Sequence, residues 1–292
     1  MLIGAMNHPR QDVLQEIEWM AALEMDFVDL TLEPPAADVS RVDPKTIRAA
    51  LAEHDLGIVG HTAYYLPLCN PIESVRRAAV EESKRCIEAF SKMGAAWMNL
   101  HPDRSAPMHD RSFIVERNIQ SLVELLAVAR DWNIGLMIEN LPGHFNTTAQ
   151  LGQLLDPLPE LGLHLDIGHC NLLTDSNTTD EILAAYGKRL RHVHLHDNKG
   201  GSADLHLPLG TGTVDVVRHV RTLQAGGYNG TITLEVFSPD RHYLTYSREI
   251  LRRVWDAELA RRGGDGSARP DGPQKSQSHQ AVETISIEKL NP

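Results

Sequence analysis

Eight short apolar or alternating runs, each followed by a stretch with helical spacing, recur from one end of this chain to the other. The strand-like runs fall at residues 2–6, 27–32, 57–61, 96–101, 134–140, 161–166, 190–196 and 231–237. Helical spacing follows at 11–24, 44–54, 72–93, 112–132, 147–155, 178–186, 214–224 and 242–261. Repetition of strand and helix in this order forces parallel strands joined by right-handed crossovers. Eight such units predict an α/β chain folded as a (β/α)8 TIM barrel, and 292 residues exceed the ~250 such a barrel needs.

The composition changes at Gly263, where GGDGSARPDGPQKSQSHQ begins. Gly, Ser, Pro and Gln without an apolar period cannot bury enough surface to offset chain entropy. Residues 1–262 are therefore expected to form the barrel and 263–292 a disordered C-terminal tail. Three cysteines, Cys69, Cys86 and Cys170, are odd in number and include no CxxC pair, so a disulfide framework is not expected. The first residues, MLIGAMNHPRQD, have no basic segment leading into an apolar one, and no apolar run reaches the ~18 residues of a membrane span. These features predict a reduced, cytoplasmic protein with no membrane partner. The net charge of −11 opposes a long nucleic-acid footprint, which requires a basic face.

Nine potential metal ligands stand at or just past the expected strand ends: His61, His101, Glu139, Asp166, His169, His194, Asp204, His206 and Glu235. Imidazoles and carboxylates in this mixture suit Zn²⁺ or Mn²⁺. Period-two alternation explains why they converge. In RHVHLH, Val193 and Leu195 share one face while His192, His194 and His196 share the other. Likewise Leu163 and Leu165 oppose His164 and Asp166, and Ile232 and Leu234 oppose Thr231, Thr233 and Glu235. The aliphatic face packs on helices and the other must point into the barrel. Separate hydrogen bonds can satisfy a single inner residue such as His164 or His192. Several buried carboxylates together would repel one another, and bound cations resolve that repulsion.

The phrases GHT at His61, NLHP at His101, MIEN at Glu139, LDIGH at Asp166 and His169, HVHLHDNKG at His194, DLHLPLGTG at Asp204 and His206, and LEV at Glu235 run in one order. In that order they resemble the xylose isomerase-like TIM barrel superfamily, which includes sugar-phosphate isomerases and epimerases and the AP endonuclease family 2, or endonuclease IV, group. The resemblance to endonuclease IV implies three zinc ions: one on His61, His101 and Glu139, a second on Glu139, Asp166, His194 and Glu235, and a third on His169, Asp204 and His206. The resemblance to the isomerases implies one divalent ion, Mn²⁺ or Zn²⁺, on Glu139, Asp166, His194 and Glu235. Glu139 and Glu235 would then move a proton at the substrate carbon. The range is thus one to three ions per chain.

The wider wording of HVHLHDN, DLHLPLGTG and TITLEVF favours the isomerase and epimerase group of carbohydrate metabolism, acting on a small phosphorylated or polyhydroxylated substrate. An endonuclease IV-like phosphodiesterase, with nucleic acid as a less favoured partner, is the alternative. Sugar epimerases of the group often carry an Arg after the strand-seven histidine and a further Glu after the strand-five glutamate. The corresponding stretches here read DNKGG and LPGHF, which leaves the substrate open. A third class, a non-catalytic protein stabilised by metal, needs only four ligands in a closed shell. Arg104, Tyr64 and Lys199 are candidate substrate contacts. Asp197 is expected to orient an imidazole, Cys170 to be a buried spectator thiol, and GTG at 210–212 to form a turn into the next helix.

Overall fold

The computed structural model describes residues 1–104, 106 and 108–264. Each strand is followed by a helix. The order begins β1 (Leu2–Met6), α1 (Val13–Ala22), β2 (Phe27–Leu32), α2 (Pro44–Glu53), β3 (Gly57–Thr62), α3 (Glu73–Met93), β4 (Trp97–Leu100) and α4 (Arg111–Asp131). It continues with β5 (Gly135–Glu139), α5 (Thr148–Leu155), β6 (Gly162–Asp166), α6 (Thr179–Tyr186), β7 (Leu190–Leu195), α7 (Val216–Ala225), β8 (Thr231–Leu234) and α8 (His242–Gly264). All eight strands are parallel, and β8 pairs with β1 (Leu2 with Thr231, Ile3 with Ile232) to close the barrel. The eightfold reading of the sequence holds. Helix α8 runs to Gly264, two residues into the expected tail, and the rest of that tail lies outside the described residues.

Local chemistry sets the helix starts. Asp12, Asp43, Asp110 and Asp215 accept backbone N–H bonds in the first turns of α1, α2, α4 and α7, and Pro44 occupies the first position of α2. These are the side chains and the position that helix N-termini favour. Outward aliphatics such as Val193, Leu195, Ile232 and Leu234 join the main core, between the strands and the helix ring.

Inside the barrel a second, smaller apolar cluster forms the floor: Phe27, Val59 and Met137, with Leu2 and Trp97 packed against it. Space for its two aromatic rings comes from glycines. A Cβ on Gly135 would lie 2.3 Å from the Trp97 ring, and one on Gly4 2.6 Å from the Phe27 ring. Two residues further along the same strands, the inner face turns polar. Phe27 is followed by Asp29, Val59 by His61, Trp97 by Asn99 and Met137 by Glu139, all buried. Above this dry floor the inner carboxylates and the imidazoles of His61 and His194 lie toward the strands' C-terminal mouth, where barrel enzymes keep their sites. Strand pairing stops at Leu100, Leu195 and Leu234, earlier than the alternation implied, so His101, His196 and Glu235 sit just beyond the ladder and over the mouth.

Candidate metal centre

All nine sequence-predicted ligands reach this mouth, and they fall into groups. His61 Nε2 lies 3.3 Å from His101 Nε2, while Glu139 Oε2 lies 2.9 Å from His101 Nε2 and 3.8 Å from His61 Nε2. A tetrahedral ion with ligands at ~2.0 Å sets their atoms about 3.3 Å apart, so this spacing fits one. His169 Nε2 and His206 Nε2 each lie 3.1 Å from Asp204 Oδ2, and His196 Nε2 lies 3.7 Å from Asp204 Oδ1. Between these groups His194 Nδ1 is 3.1 Å from Glu235 Oε2 and 4.0 Å from Asp166 Oδ2. Glu139 and Asp166 converge on His169 Nδ1 at 3.3 and 3.4 Å. Asp166 Oδ2 and His196 Nε2 are buried with no hydrogen-bond partner, as expected of atoms set up to ligate.

The loop after β7 holds its histidine in one orientation. His206 adopts a left-handed backbone, φ +45°, an uncommon state for a non-glycine residue that marks a constrained site. In that state its Nδ1 donates to the Glu235 carbonyl (3.2 Å), leaving Nε2 toward Asp204. His169 is fixed the same way, with Nδ1–H donating to the Asn140 carbonyl (2.9 Å). A bond from the far ring nitrogen selects the tautomer that a metal ligand needs.

Burial pushes the carboxyls of Asp29, Glu139 and Asp166 up, but the imidazoles around them prevail and hold all three well below the usual carboxylate range. Burial likewise opposes charge on the histidines. Asp166 and Asp204 nevertheless raise His169 well above its ordinary value, and Glu235 and Asp29 raise His194. His206 is carried up to about 9, chiefly by the Asp204 hydrogen bond. His101, His164 and His192 go down, burial being the main cause.

Several participants are absent from the sequence-derived ligand set. Asn99 donates to Glu139 Oε2 at 2.7 Å. His196 joins His169, Asp204 and His206, and His164 Nδ1 lies 3.3 Å from Glu139 Oε2. Asp29 lies beneath them all. The alternation that faced His196 inward was a signal for it, and in AWMNLH and FVDLTL the same period faces Asn99 and Asp29 inward. The three candidate substrate contacts are looser. Tyr64 is 71% exposed, edge-on to His101 at 6.5 Å, and Lys199 is exposed. Exposed Arg104 donates to the Pro142 carbonyl at 2.8 Å. Asp197 departs from expectation. Its carboxylate accepts four backbone N–H groups, from Asn198, Gly210, Gly212 and Val214, and only its backbone carbonyl meets His196 Nδ1. The GTG segment is the turn that makes this cradle possible, since a Cβ on Gly212 would lie 2.1 Å from the Asn198 carbonyl. Cys170 is fully buried, with its thiol pushed up to about 12 by burial, in keeping with a spectator.

A closed barrel of eight parallel strands, each followed by a helix, places the chain in the class of TIM-barrel proteins. The sequence profile of the xylose isomerase-like TIM barrel matches residues 17–256, and the chain belongs to that family. The protein MJ1311 of Methanocaldococcus jannaschii is 29% identical over 72% of this chain and 75% of its own length. A ketose 3-epimerase of Arthrobacter globiformis is 28% identical over 77% of this chain and 79% of its own. A probable endonuclease 4 of Thermotoga petrophila matches less, 25% over 53% of this chain and 59% of its own. Among solved structures a D-tagatose 3-epimerase-like protein superposes with TM-score 0.80 at 24% identity, covering 89% of this chain and 99% of that one. The IOLI protein with a bound zinc atom gives TM-score 0.72 at 16% identity, covering 89% and 99%. The relatives thus include sugar epimerases, which supports an enzyme. Among the described residues no helix is long and apolar enough to cross a membrane.

Proposed function

We propose that this chain is a divalent-metal-dependent isomerase or epimerase of a small sugar or sugar phosphate, with Glu139 and Glu235 as its proton-transfer pair. The placement of those two carboxylates carries the reading. Glu139 ends β5 and Glu235 follows β8, three strands further round the barrel, and both are buried at the mouth. Each has an oxygen among imidazoles, Glu139 beside His101 and Glu235 beside His194 and His206. Held by Glu139, Asp166, His194 and Glu235, a Zn²⁺ or Mn²⁺ ion would supply Lewis-acid polarisation of a carbonyl or hydroxyl oxygen. One glutamate would take the proton from the hydroxyl-bearing carbon next to the carbonyl carbon, leaving an enediolate, and the other would return a proton to that carbon from its own side. Asn99 keeps Glu139 oriented through its 2.7 Å bond. Tyr64, Arg104 and Lys199, on loops after β3, β4 and β7, are the residues we assign to the substrate's ring and any phosphate. The family's epimerase relatives, aligned over three quarters of the chain, support a sugar as substrate.

The cluster of His169, His196, Asp204 and His206 favours a second reading, an endonuclease IV-like multi-zinc phosphodiesterase. It completes a ligand count larger than one ion requires. Metal content per chain, measured on protein purified without chelator, separates the two. About one ion, with solvent deuterium entering a substrate C–H bond during turnover, supports the epimerase. About three zinc ions, with no exchange in any sugar or sugar phosphate and cleavage of a phosphodiester, would replace it with the hydrolase. In the hydrolase His206→Asn abolishes activity, whereas a one-metal epimerase retains it.

A further inference from the structure

Asp29 lies on β2 at the centre of the barrel, fully buried and outside every ligand set described above. Its Oδ2 accepts hydrogen bonds from His194 Nε2 at 2.7 Å, Thr233 Oγ1 at 2.8 Å and His192 Nε2 at 3.2 Å. Its Oδ1 faces His61 Nδ1 at 3.4 Å, and neither of those two buried atoms has a hydrogen-bond partner, so each is the other's nearest opposite pole. His61 and His194 are stacked, with ring centroids 5.3 Å apart, so one carboxylate spans the lower edges of both. Their upper nitrogens look the other way. His61 Nε2 meets His101 and Glu139, and His194 Nδ1 meets Glu235 and Asp166.

A neutral imidazole has one N–H and one bare nitrogen, and a metal takes the bare one. His61 must therefore carry its proton on Nδ1 and His194 on Nε2, which are opposite tautomers. The Asn140 and Glu235 carbonyls make this selection for His169 and His206. For His61 and His194 the acceptor in the corresponding place is Asp29.

We propose that Asp29 is the positioning residue of this centre, fixing His61 and His194 in opposite tautomers with its two oxygens and so presenting both to the metal groups at once. This rests on the metal-dependent reading of the site. An ion held deeper, among His164, His192 and His194, fits the hydrogen bonds less well. Both nitrogens of His192 are already engaged, Nδ1 by Thr231 and Nε2 by Thr233 and Asp29, and His194 Nε2 is tightly bonded to Asp29.

The proposal couples two metal groups through one carboxylate and leaves a third untouched, because Asp29 makes no contact with His169, His196, Asp204 or His206. Asp29→Asn keeps the shape, but it has one acceptor for two rings and turns an N–H₂ toward the other. Zinc affinity, titrated against a chromophoric chelator, should fall 10–100-fold for ions using His61 or His194. Any ion on Asp204 and His206 should keep its wild-type affinity. Thr233→Val removes a donor to the same carboxylate oxygen without removing a side-chain hydrogen bond of His61 or His194, and should bind zinc within about threefold of wild type by the same reasoning. Nitrogen-15 NMR of the imidazoles reads the tautomers directly. Wild type should show His61 Nδ1–H and His194 Nε2–H with zinc, and both N–H groups should persist after chelation. One of the two rings should switch in Asp29→Asn.

Unchanged zinc affinity and tautomers in Asp29→Asn overturn the proposal, as does a His61 Nε2–H tautomer in wild type. If Asp29→Asn fails to fold, the wild-type tautomers alone decide. If wild type binds no zinc, the metal-dependent reading falls instead, and the N–H positions of the chelated protein, read at a pH where each ring is neutral, still test what Asp29 orients.

Discussion

At Glu235, His194 Nδ1 and His206 Nδ1 approach one carboxylate oxygen at 3.1 and 3.5 Å, so in the proposed site this acid would serve both a metal group and the substrate. Glu235→Gln keeps the volume and removes the base. With a sugar that turns over, deuterium incorporation into product, followed by NMR, should drop about 10²–10⁴-fold; wild-type incorporation would exclude Glu235 from proton transfer. His206 gives a pH signature. In the metal-free protein its value of about 9 exceeds the ordinary 6.5. A raised folded-state value contributes stability that is complete below 6.5 and lost as pH rises through 9. His169 and His194 shift in the same direction. Chelated protein should therefore lose thermal stability between pH 6.5 and 9, and His206→Asn should show a shallower loss. Metal binding displaces these protons, so zinc affinity should rise over the same interval. An affinity independent of pH would contradict this picture of the histidines.

The decisive element is the segment between β7 and α7. It brings Asp204 and His206 over the mouth, and it is anchored by Asp197 and a short antiparallel bridge between Asp197 and Leu207. Asp197→Ala would strand four backbone N–H groups, each costing roughly 1–3 kcal/mol if left unsatisfied. Relaxation will recover part of this, so a loss of about 3 kcal/mol in urea unfolding is expected, together with loss of any ion bound by Asp204 and His206. Retention of both stability and metal would show that the loop is held some other way. The sequence wording placed this segment at the site and identified GTG as a turn. It did not reveal that the aspartate holds the turn, because a carboxylate beside a histidine in sequence reads as its partner, whereas the backbone aims this one at the loop.

Across the whole molecule, carboxylates and imidazoles share an interior floored by Phe27, Val59 and Met137. Bound cations would offset the mutual repulsion of Asp29, Glu139, Asp166 and Glu235, all buried. Chelation should lower the melting temperature by at least about 5 °C, at about 2–4 °C per kcal/mol for a domain of this size, and zinc or manganese should restore it. No change would mean that the imidazole–carboxylate hydrogen bonds suffice alone.

Strand and helix alternation, and the inward face of each strand, could be read from the chain because both are local consequences of period two and period 3.6. They located the barrel and brought the nine candidate ligands to its mouth. How those ligands group was decided only by closure. Asp29 on β2 meets His194 on β7, 165 positions later, because the strands tilt around a common axis and bring distant inner faces into one layer. Alternation shows that a residue points inward. Which residues it meets there, and which ring nitrogen stays bare, depends on contacts among side chains from different strands, and only the closed barrel sets those.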